Sequence, residues 1–117
     1  MTKLILAGIG CAAVVGCAAP QHDQLRVTER GQIAPTAVGA FADCMADGWK
    51  AEQPALSQVR IEESRRAEGM RIDKMAYSFT AASADAFDDG RVELRTGTPT
   101  NGGGKVFDAC LSRFAAK

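Results

Sequence analysis

Two amphipathic helical patterns, each with one cysteine among its apolar residues, constrain the fold more than any other feature of this chain. The first predicts a helix of about fifteen residues, with Thr36 in the N-cap position and Pro54 ending it. The second predicts a C-terminal helix that follows a glycine-rich loop, residues 97–104. The apolar positions are Val38, Phe41, Cys44, Met45 and Trp49 in the first helix, and Val106, Phe107, Cys110, Leu111 and Phe114 in the second.

Three stretches between these helices alternate apolar and polar residues, which is typical of half-buried strands. The first covers residues 58–62 and the third covers residues 91–96. The middle stretch starts at Met70 and changes phase near Asp73, which predicts a β-bulge. The predicted connections are the charged cluster at residues 63–69 and the segment 81–90, which ends in an Asp-Asp-Gly turn.

These elements predict a small two-layer α+β domain, residues 36–117, in the order α-β-β-β-α. We expect about three antiparallel strands, with both helices on one face of the sheet. The preceding segment, residues 17–35, has no sustained periodicity and is interpreted as a flexible tether. The alternative is that Leu25, Val27 and Ile33 dock on the domain or form a short edge strand.

Residues 1–16 have the layout of a secretory signal. Lys3 supplies a positive charge, and an apolar run, residues 4–19, ends in small residues. This run is shorter than the roughly 20 residues that a helix needs to cross a bilayer, so a permanent transmembrane helix is less favoured. Ordinary signal cleavage after Ala18 stays open as an alternative.

The stretch Val14-Val15-Gly16-Cys17 resembles the lipobox of bacterial lipoproteins: three of its residues match that motif, and Val15 is tolerated in it. The resemblance implies cleavage before Cys17, and acylation of its sulfur and its new amino group. One acyl chain binds a membrane only marginally, but this family carries three, so the anchor would be permanent. Ala18 takes the place of the aspartate that retains enteric lipoproteins in the inner membrane. An outer-membrane location facing the periplasm is therefore implied.

The lipobox resemblance also implies how the cysteines are used. With Cys11 removed in the signal and Cys17 acylated, Cys44 and Cys110 remain, and an even pair in an oxidising compartment implies one disulfide. A pair of free buried thiols is the alternative. A metal site is disfavoured because the only histidine, His22, lies in the predicted tether.

The charged residues show no sign of a nucleic-acid partner. The 14 basic and 14 acidic residues balance, and loss of Lys3 leaves the remaining chain at −1. Basic and acidic residues are interspersed, so no basic stripe is formed. We expect partners to be the membrane, through the acyl chains, and an envelope protein.

The sequence contains no complete motif for catalysis, a cofactor or a metal. The glycine-rich loop before Lys105 resembles a P-loop, but Pro99 and Val106 occupy positions where that motif requires Gly and Ser or Thr. The segment from Asp85 to Thr96 fails as a calcium loop because Phe87 occupies a ligand position. Neighbouring carboxylates such as Glu62-Glu63 and Asp88-Asp89 point to opposite sides of a strand. We therefore expect no catalytic residues, no cofactor and no metal.

Two other groups of residues could either bind a partner or serve only to stabilise the fold. Trp49, Tyr77 and Phe79 could line a groove, since aromatic residues are enriched at interfaces, although core packing is preferred. Arg91, Glu93 and Arg95 could form a recognition strip on the last strand, although protection of a strand edge by charge is preferred.

The two cysteine-bearing segments, Phe41–Trp49 and Phe107–Leu111, make residues 38–115 similar to small proteobacterial lipoproteins that have no established activity. Two hypotheses follow. The first is a non-enzymatic binding or structural module of the cell envelope. The second is a periplasmic domain that binds a small molecule or acts as an inhibitor. A cavity with inward polar groups would favour the second, and an exposed apolar patch the first.

Overall fold

A computed structural model describes residues 22–53, 58–97 and 103–116. Within these ranges the chain forms five strands and two α-helices, with short 3-10 turns at His22–Gln24 and Pro35–Ala37. The elements in chain order are β1 (Arg26–Gln32), α1 (Val38–Ala51), β2 (Val59–Arg66), β3 (Gly69–Ala76), β4 (Phe79–Phe87), β5 (Arg91–Thr96) and α2 (Gly103–Phe114).

The five strands form one antiparallel sheet in the order β1-β5-β4-β3-β2. Strands β2 to β5 are a meander of consecutive hairpins, whereas β1 pairs with β5 across most of the chain. The predicted α+β class, the two helices and the Cys44–Cys110 disulfide are confirmed. The expected number of strands, about three, is wrong: the described residues contain five.

Strand β4 lies where the sequence predicts a connection, residues 81–90. Its apolar positions are Ala82, Ala84 and Ala86, and all three are fully buried beneath the helices. Alanine has a low strand propensity, so the alternation of alanine with polar residues does not resemble an ordinary strand. Small side chains are needed here because they let the helices approach the centre of the sheet.

The sheet includes strand β1, which lies before the predicted domain boundary at residue 36. Residues 26–32, assigned to the flexible tether, form an edge strand, and Ile33 is fully buried and bridges to Ala115. Leu25 is also buried, which agrees with the docked alternative rather than with a tether. Residues 17–21, together with the predicted signal, lie outside the described residues.

The other strand boundaries differ from expectation in smaller ways. Strand β2 continues to Arg66 and turns at residues 67–68, so most of the predicted charged connection is strand. The pairing of β3 with β4 shifts register between Lys74 and Met75, one residue beyond the predicted bulge. Tyr77 lies in the β3–β4 turn with a positive φ of 57°.

The helices pack on the same side of the sheet, with α1 against β2 to β4 and α2 against β5 and β1. The core lies between these layers and includes Ile72, Val92 and Leu94 from the strands. Phe41 and Phe107 meet edge-to-face between the helices, with their ring centroids 5.8 Å apart. Burial of these large apolar side chains is the main stabilising contribution to the domain.

The two helices approach closely at Gly48 of α1. A Cβ at this position would lie 2.5 Å from a methyl group of Val106, so only glycine permits the observed spacing. One turn away, Cys44 and Cys110 are bonded, with their Cα atoms 5.9 Å apart. The close approach and the disulfide therefore hold α1 and α2 together at the same place.

Candidate binding surface on the outer face of the sheet

The sheet face opposite the helices, here called the outer face, carries polar residues from its central strands. Because side chains alternate along a strand, residues between the buried alanines and valine point to this face. They come from β3, β4 and β5, and they are Arg71, Asp73, Ser83, Asp85, Glu93 and Arg95. The described segment His22–Leu25 lies across β4 on the same face.

Asp85 is the centre of a polar network on the outer face. Its two oxygens lie 2.8 Å from His22 Nε2 and 2.8 Å from Arg71 Nε. The Asp85 side chain is only 7 % exposed. Burial of a carboxylate is costly unless it is paired and hydrogen-bonded, and here two partners supply those bonds. The network thereby fixes the N-terminal segment to the sheet.

Neighbouring polar groups on this face also bond to one another. Ser83 is fully buried and donates a hydrogen bond of 2.6 Å to Asp73. Arg95 donates to the carbonyl oxygen of Leu25, while its Nε is buried without a partner among the described residues. Most of the strip predicted at Arg91, Glu93 and Arg95 is therefore a half-buried surface beside the N-terminal segment rather than a protected edge.

A cavity of about 260 Å³ opens beside Asp85 at the β2–β3 turn. It is lined by Arg66, Ala67, Glu68, Gly69, Met70, Arg71, Asp85 and Phe87. Two cations and two anions line it, together with apolar surface from Phe87. The cavity therefore provides groups for both charges of a small polar molecule, next to an apolar wall.

Comparison of the chain with protein-family models, curated proteins and solved structures finds no match.

A second cavity, of about 400 Å³, lies between the two helices above the disulfide. Val106 and Gly48 contribute to its floor, and Asp47, Lys105 and Arg113 lie around it. An Arg113 guanidinium nitrogen is 3.8 Å from Cys44 Sγ. This groove covers the contact between the helices, and the charged residues around it are exposed, whereas Asp85 beside the first cavity is buried.

The structure places the residues that the sequence singled out in different environments. Cys44 and Cys110 are bonded to each other. Cys17 lies outside the described residues. His22, assigned to the tether, instead contacts Asp85 across 63 residues of sequence, a separation that no local pattern reveals. Trp49 is fully buried and Phe79 half-buried, whereas Tyr77 is 67 % exposed.

Of the two rejected motifs, the glycine-rich loop lies mostly outside the described residues, and the calcium-like pattern begins within a strand. Asp85, the first residue of the weak calcium-like pattern, is committed to Arg71 and His22 on strand β4. In the described ranges, no group of three or more His, Cys, Asp or Glu residues is placed to hold a metal ion. None of the helices in those ranges is long and apolar enough to cross a membrane.

Two carboxyl pairs join the edge strands to the helices on the inner side of the sheet. Glu29 of β1 pairs with Asp108 of α2, and Glu63 of β2 pairs with Asp43 of α1. Burial, followed by the hydrogen bond and charge of Asp108, raises the pKa of Glu29 to about 7. Burial and Asp43 likewise raise the pKa of Glu63, against the opposing charge of Lys50. Neither pair is visible in the sequence because its members are far apart along the chain.

We expect Glu29→Gln to stabilise the domain above pH 7 and to leave it nearly unchanged below pH 4.5. The folded-state pKa of Glu29, about 7, exceeds the ordinary value of 4.5, so the folded protein binds this proton more tightly. Its contribution to stability is therefore complete below pH 4.5 and is lost as the pH rises to 7. Glutamine keeps a hydrogen-bond donor for Asp108 without the repulsion.

Urea denaturation of the wild type and of Glu29→Gln at pH 4 and pH 8 measures this effect. Arg30→Gln, at the neighbouring exposed position of β1, is the control for a change of charge on the same strand. Equal midpoints for Glu29→Gln and wild type at pH 8 would show that the pair does not oppose folding.

Proposed function

We propose that this chain is a lipid-anchored lipoprotein of the bacterial cell envelope, a non-enzymatic binding or structural module at the periplasmic face of the outer membrane. The observation that carries the proposal is the Cys44–Cys110 disulfide. A disulfide in a small domain fits an oxidising compartment outside the cytoplasm. It uses two of the four cysteines, and Cys17 stands at the end of the lipobox-like stretch, where acylation would occur.

The polar groups of the outer face support binding rather than catalysis. A nucleophilic serine needs access to substrate and a base that takes its proton. Ser83 has no access to substrate, because it is fully buried between its neighbours. His22 is bonded to Asp85, whose other oxygen is held by Arg71. These groups satisfy one another, as expected for a surface that positions a ligand or a chain segment.

A second candidate is a domain that binds a small molecule, and the cavity beside Asp85 is the observation that favours it. An apolar docking surface has less support, because Tyr77 is the only exposed large hydrophobic residue in the described ranges. The two candidates are compatible, since a lipid-anchored module can carry a ligand site.

Replacement of the lipid-bearing residue, Cys17→Ser, is expected to abolish incorporation of radiolabelled palmitate and to remove the mature form from the membrane fraction. The physical reason is that acyl chains supply the membrane affinity, at about 0.8 kcal/mol for each buried methylene. The measurement is palmitate labelling of cells that express each variant, followed by fractionation.

The matched control is Cys11→Ser, which removes a cysteine from the part that would be discarded. This variant should label like the wild type. Labelling of Cys17→Ser at the wild-type level, or absence of label in the wild type, would refute the lipoprotein proposal.

A further inference from the structure

We propose that the outer face of the sheet is turned toward the membrane, and that its cavity binds the zwitterionic head group of a phospholipid. The inference rests on the lipid anchor proposed above. It adds an orientation of the domain and a chemical class of ligand to that proposal.

The position of His22 places the outer face near the anchor. Only residues 18–21 separate Cys17 from His22, so the two Cα atoms are at most about 18 Å apart even when this segment is extended. His22 is bonded to Asp85, and Asp85 lines the cavity. A cysteine held at the membrane surface by its acyl chains therefore keeps the cavity within reach of the head groups.

The charges around the cavity complement a phosphate and an ammonium group together. Arg71 uses its Nε for Asp85, which leaves the two terminal guanidinium nitrogens without a partner among the described residues. Arg66 is exposed at the rim and forms no ion pair within the described ranges. Both can donate to phosphate oxygens, while the exposed Glu68 can accept from an ammonium group. The four charges cancel, which matches a head group that carries no net charge.

The size of the cavity and its apolar wall fit the same ligand. Its volume, about 260 Å³, falls below the range of roughly 300–1,000 Å³ that holds drug-sized molecules. A head group is smaller than such molecules and can enter while the acyl chains stay in the bilayer. Phe87 would then contact the glycerol part of the lipid.

Photocrosslinking tests the orientation. The full-length lipidated protein is placed in vesicles of phosphatidylethanolamine and phosphatidylglycerol, with phosphatidylethanolamine that carries a photoreactive group on its head group. We expect crosslinks in peptides containing residues 65–71 and 85–91. Crosslinks mainly in helix α1 or α2, or spread evenly over the domain, would overturn the orientation.

Binding to the cavity is tested by titration of the lipidated protein, in detergent, with glycerophosphoethanolamine. The amide chemical shifts of Gly69 and Arg71 report the binding. Arg66→Gln and Arg71→Gln should each weaken binding about tenfold, as expected when a charge-assisted hydrogen bond is lost. Arg113→Gln, on α2, is the matched control and should bind like the wild type. Arg66 is exposed, so its replacement keeps the test valid if Arg71→Gln fails to fold.

Parallel titrations with inorganic phosphate and with ethanolamine distinguish the sources of binding. Equally tight binding of phosphate alone would overturn the head-group assignment in favour of a simple anion site. Absence of any shift in a protein that does incorporate palmitate would overturn this inference and leave the anchor standing. Binding of glycerophosphoethanolamine to a protein that incorporates no palmitate would refute the lipid-anchor proposal and leave the ligand assignment standing.

Discussion

Replacement of both disulfide cysteines, Cys44→Ala with Cys110→Ala, is expected to lower the free energy of unfolding by about 4 kcal/mol. The bond joins residues 66 positions apart, so its removal frees a long loop in the unfolded chain. For a domain of this size, that loss corresponds to a fall in melting temperature of roughly 15–30 °C. Since small domains are only marginally stable, most of the cooperative transition above 37 °C should disappear.

Thermal and urea unfolding followed by circular dichroism measure this loss. The control is the wild type with a reductant, which breaks the same bond without a change of sequence and should lose a similar free energy. Cys11→Ala should leave the transition unchanged, because that residue belongs to the predicted signal. A loss below about 1 kcal/mol in the double variant would mean that helix packing alone holds α1 to α2.

The second large effect is expected for Phe107→Ala, which should destabilise the domain by about 3–5 kcal/mol. The Phe107 ring is fully buried and meets Phe41 edge-to-face at the centre of the contact between the helices. Alanine removes the contact and leaves a void that the disulfide prevents the helices from closing, since Cys44 and Cys110 remain bonded one turn away. The measurement is the free energy of unfolding in urea under oxidising conditions.

Tyr77→Ala is the matched aromatic control. Tyr77 is 67 % exposed in the β3–β4 turn, so its ring contributes little burial, and the change should cost less than about 0.5 kcal/mol. Tyr77→Gly should stabilise the protein by about 1 kcal/mol, because φ of 57° is unfavourable for tyrosine and not for glycine. Equal losses for Phe107→Ala and Tyr77→Ala would contradict the core assigned here.

The helices and strand β5 are predictable from the sequence because their apolar residues are large and regularly spaced. Val38, Phe41 and Met45 mark α1, and Val92 and Leu94 mark β5. Strand β4 is not predictable by the same means, because its inward residues are alanines. Its identity depends on the helices that cover it, which is a property of the tertiary structure and not of the segment.

The candidate site is predictable only in part. The pairing of Cys44 with Cys110 follows from the implied use of Cys17, and the structure contains that bond. The contact of His22 with Asp85 and the pairing of Glu29 with Asp108 join segments distant in sequence. No local spacing rule reports such contacts. These contacts can be identified only when β1 is known to pair with β5. The prediction of a tether at residues 17–35 therefore also excluded the outer-face network.

The placement of β1 at the edge of the sheet has a consequence for the order of folding. Arg26 of β1 pairs with Thr96 of β5, so β1 has no partner in the sheet until synthesis has reached residue 96. The β2–β5 meander can assemble earlier from local hairpins, whereas β1 must wait for one long-range closure. Pairing with β5 is thus the folding step that fixes the N-terminal segment to the domain.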